Sequence, residues 1–122
     1  LDQNWDNFSI FAGSEAFLLQ TLRNGGTGCI SATANINPEG IHNLYKNWRE
    51  PDADIYQEEL NNLRSIVQSY PLIPALKAII SHYHKDTNWN ILRPPLSAMN
   101  NADSEELIKK IKKMNFSIKS LH

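Results

Sequence analysis

The sequence predicts an α/β chain: a parallel strand–helix–strand unit, followed by helices alone. Three observations predict this. Two β-compatible runs, "FSIFA" (8–12) and "GCISATA" (28–34), flank a stretch with helical apolar spacing. That stretch is too long for a hairpin turn and long enough for a crossover helix, so the strands run parallel. From Asp52 onward apolar residues recur with a 3.6-residue period, and no further strand pattern follows.

Each element has a local reason. "FSIFA" is apolar and ends at Gly13. "SEAFLLQTLRN" (14–24) carries apolar residues at 17, 18, 19 and 22, with Ser14 as N-cap and Glu15 in the first turn. Gly25 and Gly26 stand where a helix C-cap needs a left-handed residue. "PEGIHNLYKNWRE" (38–50) opens with Pro38 at a first helical position. Stripes at 55, 56, 60, 63, 66, 67 and 70, then at 72, 73, 76, 79, 80 and 83, predict helices over 52–70 and 71–85. "NILRPPLSAMNNA" (90–102) is a proline-broken loop, and Asp103 with Glu106 reads as a capping box before "LIKKIKKM". Residues 1–51 hold the two β/α units and 52–122 form a helical extension.

Composition narrows the function classes. Hydrophobic residues make up 41% and charged residues 20%, as expected of a folded chain. A net charge of -1 argues against an electrostatic grip on nucleic acid or on anionic lipid. No apolar run approaches the ~18 residues of a membrane span. The single cysteine excludes an internal disulfide, and "LDQNWDNFSIF" has neither a basic start nor an apolar core like a leader's. The expected location is the cytoplasm.

"GGTGCISATANINP" (25–38) looks at first like a phosphate-cradling glycine loop. Its polarity is reversed. A dinucleotide cradle has its glycines after a strand and before a helix, and here they follow a helix and precede a strand. No cofactor is expected. The strand ends matter more, because parallel α/β folds build sites at the carboxyl ends of strands. Those ends are Gly13-Ser14-Glu15 and Ala34-Asn35. Ser14 and Asn35 are candidate rim residues, although an N-cap and a turn residue would look the same.

Other chemistry-bearing residues have plainer readings. Lys77 lies in an apolar helix, where a snorkelling stem suffices. His82 and His84 are two apart and cannot share a helical face, so no metal site is expected. Cys29 reads as a small buried hydrophobe. The lysines of "KKIKK", balanced by "DSEE", read as a solvated face that complements the helix dipole. Trp48 and Trp89 are packing or interface aromatics.

Two parallel strands do not stand alone, since parallel sheets are covered on both faces and have several strands. "FAGSEAFLLQTLRNGGTGCISATANINP", "PLIPALKAII" and "LRPPLSAM" together resemble the C-terminal part of the dihydrodipicolinate synthase / N-acetylneuraminate lyase family, across residues 5 to 116. The resemblance implies a (β/α)8 TIM barrel. Residues 8–12 would be its seventh strand, 28–34 its eighth, and 52–116 its helical extension. It implies Schiff-base chemistry on pyruvate or another 2-oxo acid, with a catalytic lysine and tyrosine on earlier strands and no catalytic residue among these 122. By the same resemblance, the Ile30 carbonyl lies beside bound pyruvate and Gly13 closes that pocket. "SATAN" looks closer to the synthase and small keto-acid aldolase branches than to the sialic-acid branch. Expected partners are the N-terminal part of the barrel and further copies in a dimer or tetramer. The alternative is a non-catalytic half-barrel module that pairs with another chain.

Overall fold

The computed structural model describes residues 6–118. Residues 1–5 and 119–122 lie outside the described part, including the start of the stretch read for a leader. The element order is β1 (Phe11–Ala12), α1 (Leu18–Arg23), β2 (Gly28–Cys29), α2 (Pro38–Asn47), α3 (Ala53–Gln68), α4 (Leu72–His84) and α5 (Asn101–Lys113). Three 3-10 turns, Glu15–Phe17, Ala32–Asn35 and Thr87–Asn90, join them.

The strands pair in parallel, Phe11 opposite Gly28 and Ala12 opposite Cys29. One bond beyond each end continues the ladder: Thr27 N–H donates to the Ile10 carbonyl at 2.7 Å and Ile30 N–H to the Ala12 carbonyl at 2.8 Å. The strand–helix–strand order is as predicted, but both strands are shorter. Residues 32–35 are not strand. They coil into a 3-10 turn in which the Ile36 and Asn37 N–H groups both donate to the Thr33 carbonyl, at 3.0 and 2.9 Å. A β-branched, apolar run is overruled here by local bonding, as β-propensity often is.

Packing divides the chain into two compact units, one up to Asn62 and one from Leu63. In the first, Leu18, Leu19 and Leu22 of α1 cluster with Leu44 of α2 and with Ala53 and Leu60 of α3. The opening turns of α3 therefore pack with α1 and α2 in the first unit. Trp48 packs against this cluster and carries the Arg49 guanidinium over its ring at 4.3 Å. Gly25 takes the left-handed conformation that ends α1, with φ +83°. Gly26 does not; it is needed because the chain passes close to Thr21.

In the second unit α4 packs on α5, burying Ala75, Leu76, Ile79, Leu107 and Ile111. The cap of α5 differs from prediction. The helix opens three residues earlier, with Asn100 as N-cap accepting from Asp103 N–H at 2.8 Å and donating back to the Asp103 carboxylate at 2.8 Å. Glu106 is left to pair with Lys110 at 2.6 Å and to accept the Tyr70 hydroxyl at 2.8 Å. Lys110 is pushed up to about 12, chiefly by its bond to Glu106.

Candidate functional site

Both strands end on the same side, because they are parallel, and polar residues gather just beyond them. After β1 the chain passes Gly13 and enters the 3-10 turn. Ser14 caps that turn, its Oγ accepting from Ala16 N–H at 3.1 Å. The cap turns Glu15 inward, to 2% exposure. After β2 the chain passes Ile30, and Ser31 and Thr33 follow two residues apart. Their hydroxyls both donate to the Glu15 carboxylate, Ser31 to Oε2 and Thr33 to Oε1. The two hydroxyls also lie 3.0 Å from each other. A buried carboxylate costs several kcal/mol unless charge-assisted bonds compensate, and two hydroxyl donors are of that kind.

The backbone of the Glu15 turn is held as well. Gln57 of α3 donates to the Glu15 carbonyl at 3.0 Å and accepts from Leu19 N–H at 3.0 Å. At the other end of α1, Arg23 grips Asp54 with two bonds of 3.0 and 2.8 Å. That contact holds the Asp54 carboxyl below its ordinary value.

The expected site residues fall as follows. Gly13 directly follows β1, and open space lies where a Cβ would be. Ile30 directly follows β2, its side chain 74% exposed. Ser14 caps its turn and Asn35 donates to the Ala32 carbonyl at 2.9 Å, both just beyond the strand ends. Reading the sequence named Glu15 as a polar group but missed Ser31 and Thr33 as its partners. No local spacing signals this: Ser31 is the extended N-cap of the 3-10 turn and Thr33 lies inside it, so only the fold brings both hydroxyls to Glu15.

Away from the strand ends, Lys77 donates to the Ile91 carbonyl, which occupies its ammonium structurally. Among the described residues no group of three or more His, Cys, Asp or Glu is placed to hold a metal ion, and no helix is long and apolar enough to cross a membrane.

Cys29 is half-buried rather than fully buried. Burial pushes its thiol up from the ordinary value, and the nearby Glu15 carboxylate adds to the shift. Both causes favour the neutral thiol, which is not the nucleophile. Alkylation of Cys29 by iodoacetamide, followed by mass, should therefore be slow at neutral pH and rise only above the ordinary thiol range. Glu15→Gln should speed it. A rapid reaction at neutral pH would contradict this environment.

The family model described as "Dihydrodipicolinate synthetase family" matches residues 2–114, nearly the whole chain. The chain belongs to this family. It is 30% identical over 112 residues to the putative 2-dehydro-3-deoxy-D-gluconate aldolase YagE of Escherichia coli (strain K12), covering 87% of this chain and 37% of that protein. It is 32% identical over 106 residues to a 4-hydroxy-tetrahydrodipicolinate synthase of Natronomonas pharaonis, covering 84% and 35%. The solved structure of YagE in complex with pyruvate superposes with a TM-score of 0.77 at 27% identity, over 90% of this chain and 38% of that one. A Sulfolobus 2-keto-3-deoxygluconate aldolase in complex with D-KDPG gives 0.78 at 18% identity, over 89% and 38%, a likeness of fold. The chain thus spans under two-fifths of the length of these dihydrodipicolinate synthetase relatives.

Proposed function

We propose that this chain is the C-terminal portion of a pyruvate-dependent, Schiff-base-forming aldolase or synthase of the dihydrodipicolinate synthetase family. Its strands are the seventh and eighth of a TIM barrel, residues 1–51 form the last two β/α units, and 52–122 form the helical extension. The reaction is carbon–carbon bond making or breaking on a 2-oxo acid. A lysine amine on an earlier strand condenses with the ketone and releases water. The resulting iminium accepts the electron pair freed when the neighbouring bond breaks, while a tyrosine, also on an earlier strand, moves the proton. This chain contributes the wall: Gly13 closes the pocket, the Ile30 carbonyl faces pyruvate, and Ser14 and Asn35 lie at the rim. The enzyme works in the cytoplasm as a dimer or tetramer and needs no cofactor.

What supports this reading is the family match over residues 2–114, joined by the Glu15–Ser31–Thr33 cluster. The cluster sits beyond the carboxyl ends of parallel strands, where barrel enzymes assemble their sites.

Borohydride trapping with pyruvate tests the reading. The 122-residue chain alone should give no stable adduct on any lysine, Lys77 included. The full-length polypeptide should give one on a lysine preceding these residues. An adduct within the 122 residues would sink the assignment.

The second reading, a non-catalytic half-barrel module, has its own support. Phe11 and Phe17 are 49% and 58% exposed beside the two strands paired among the described residues. Apolar surface of this kind calls for a covering partner. The mass of the intact protein separates the two readings, since the module requires a short chain and the enzyme a long one.

A further inference from the structure

The turn that carries Glu15 is fastened from a distant helix. The 3-10 turn Glu15–Phe17 runs into α1, whose N-cap position, Phe17, offers no side-chain bond to the first helical N–H groups. Those groups need acceptors. Leu19 N–H finds one in Gln57 Oε1, 38 residues later in sequence and 3.0 Å away. The same amide spends its donor on the Glu15 carbonyl, also at 3.0 Å, and on Asn61 Oδ1 at 3.0 Å, which fixes the plane of the amide. Glu15 is thus held at two points. Gln57 sets its backbone, and Ser31 and Thr33 receive its carboxylate.

We infer that Gln57 is a positioning residue for the site at the strand ends. By fixing the Glu15 turn it orients the Ser31 hydroxyl and, through the adjoining peptide, the carbonyl of Ile30. The inference rests on the aldolase reading above. The chain supplies its own control. Arg23 and Asp54 tie the same two helices, α1 and α3, but at the far end of α1. If Gln57 only glued α1 to α3, losing either tie would have the same consequence. If it positions the site, the two must differ.

The test uses the full-length polypeptide with pyruvate as the probe. The readouts are the pyruvate concentration giving half-maximal borohydride trapping, and hydrogen exchange at the Leu19 amide. Gln57→Met keeps the side-chain volume and loses both bonds. It should raise the half-saturating pyruvate concentration about tenfold, the scale of a sub-ångström misplacement, and accelerate Leu19 exchange. Gln57→Glu keeps the acceptor for Leu19 and loses the donor to Glu15, so it should shift half-saturation in the same direction with Leu19 still protected. Asp54→Ala should leave half-saturation within about twofold of the wild type. Equal shifts in Gln57→Met and Asp54→Ala, or none in Gln57→Met, overturn the inference. A wild-type protein that traps no pyruvate overturns the aldolase reading instead, and Leu19 exchange then still decides whether Gln57 holds the turn.

Discussion

Replacing Glu15 with leucine is expected to cost about 3 kcal/mol of stability and to abolish pyruvate trapping in the full-length protein. The carboxylate is 2% exposed and accepts from Ser31 and Thr33. Leucine is close in size, so packing is not what is lost. What is lost is the acceptor for Thr33, itself 1% exposed, and for Ser31. A buried hydroxyl without a partner costs roughly 1–3 kcal/mol. Urea unfolding measures the loss. The combined variant Glu15→Leu, Ser31→Ala, Thr33→Val should recover most of it, because neither hydroxyl is then left without the carboxylate it donates to. It should not recover trapping, since the polar end of the site is gone. A single Glu15→Leu variant as stable as the wild type would show that the cluster finds other partners.

How much of this was legible follows from the range of each interaction. The strand–helix–strand order and the helices after residue 52 were readable, because apolar periodicity is a local signal that packing reinforces. The end of β2 was not. "ISATA" has the composition of a strand, but the chain coils onto the Thr33 carbonyl and its hydroxyls go to Glu15, 16 and 18 residues away. The α5 cap was misplaced by three residues because Asn100 and Asp103 are both good capping residues, and the chain uses them as a pair. Gln57 gave no signal at all: a glutamine on a helix looks solvated until the fold brings Leu19 and Glu15 to it. The roles proposed for Gly13 and Ile30 use backbone or empty space. No side-chain chemistry marks them, and only the family resemblance named them.

That leaves the two glycine positions on which structure and pocket can be separated. Gly26→Val is expected to cost about 1–3 kcal/mol. The reason first suggested by sequence, a left-handed backbone, belongs to Gly25, with φ +83°. At Gly26 the obstacle is space. A Cβ there would lie 2.3 Å from Thr21 Cγ2, 2.9 Å from the Thr21 carbonyl oxygen and 3.4 Å from the Ile10 carbonyl oxygen. The methyl could rotate away, but the two carbonyls cannot. They accept the Gly26 and Thr27 N–H groups, at 2.8 and 2.7 Å, that join the end of α1 to the start of β2. The variant should unfold earlier, and whatever remains folded should trap pyruvate at near wild-type half-saturation. Gly13→Ala should do the reverse. Nothing lies within 4 Å of a Cβ at Gly13, so thermal unfolding should move little. If that open space is where the 2-oxo acid sits, the added methyl group occupies it and half-saturation should rise about tenfold, the upper end of what one methylene is worth in a pocket being larger still. Gly26→Val defective in trapping at unchanged stability, or Gly13→Ala neutral in both measurements, would reverse the two assignments or remove Gly13 from the pocket.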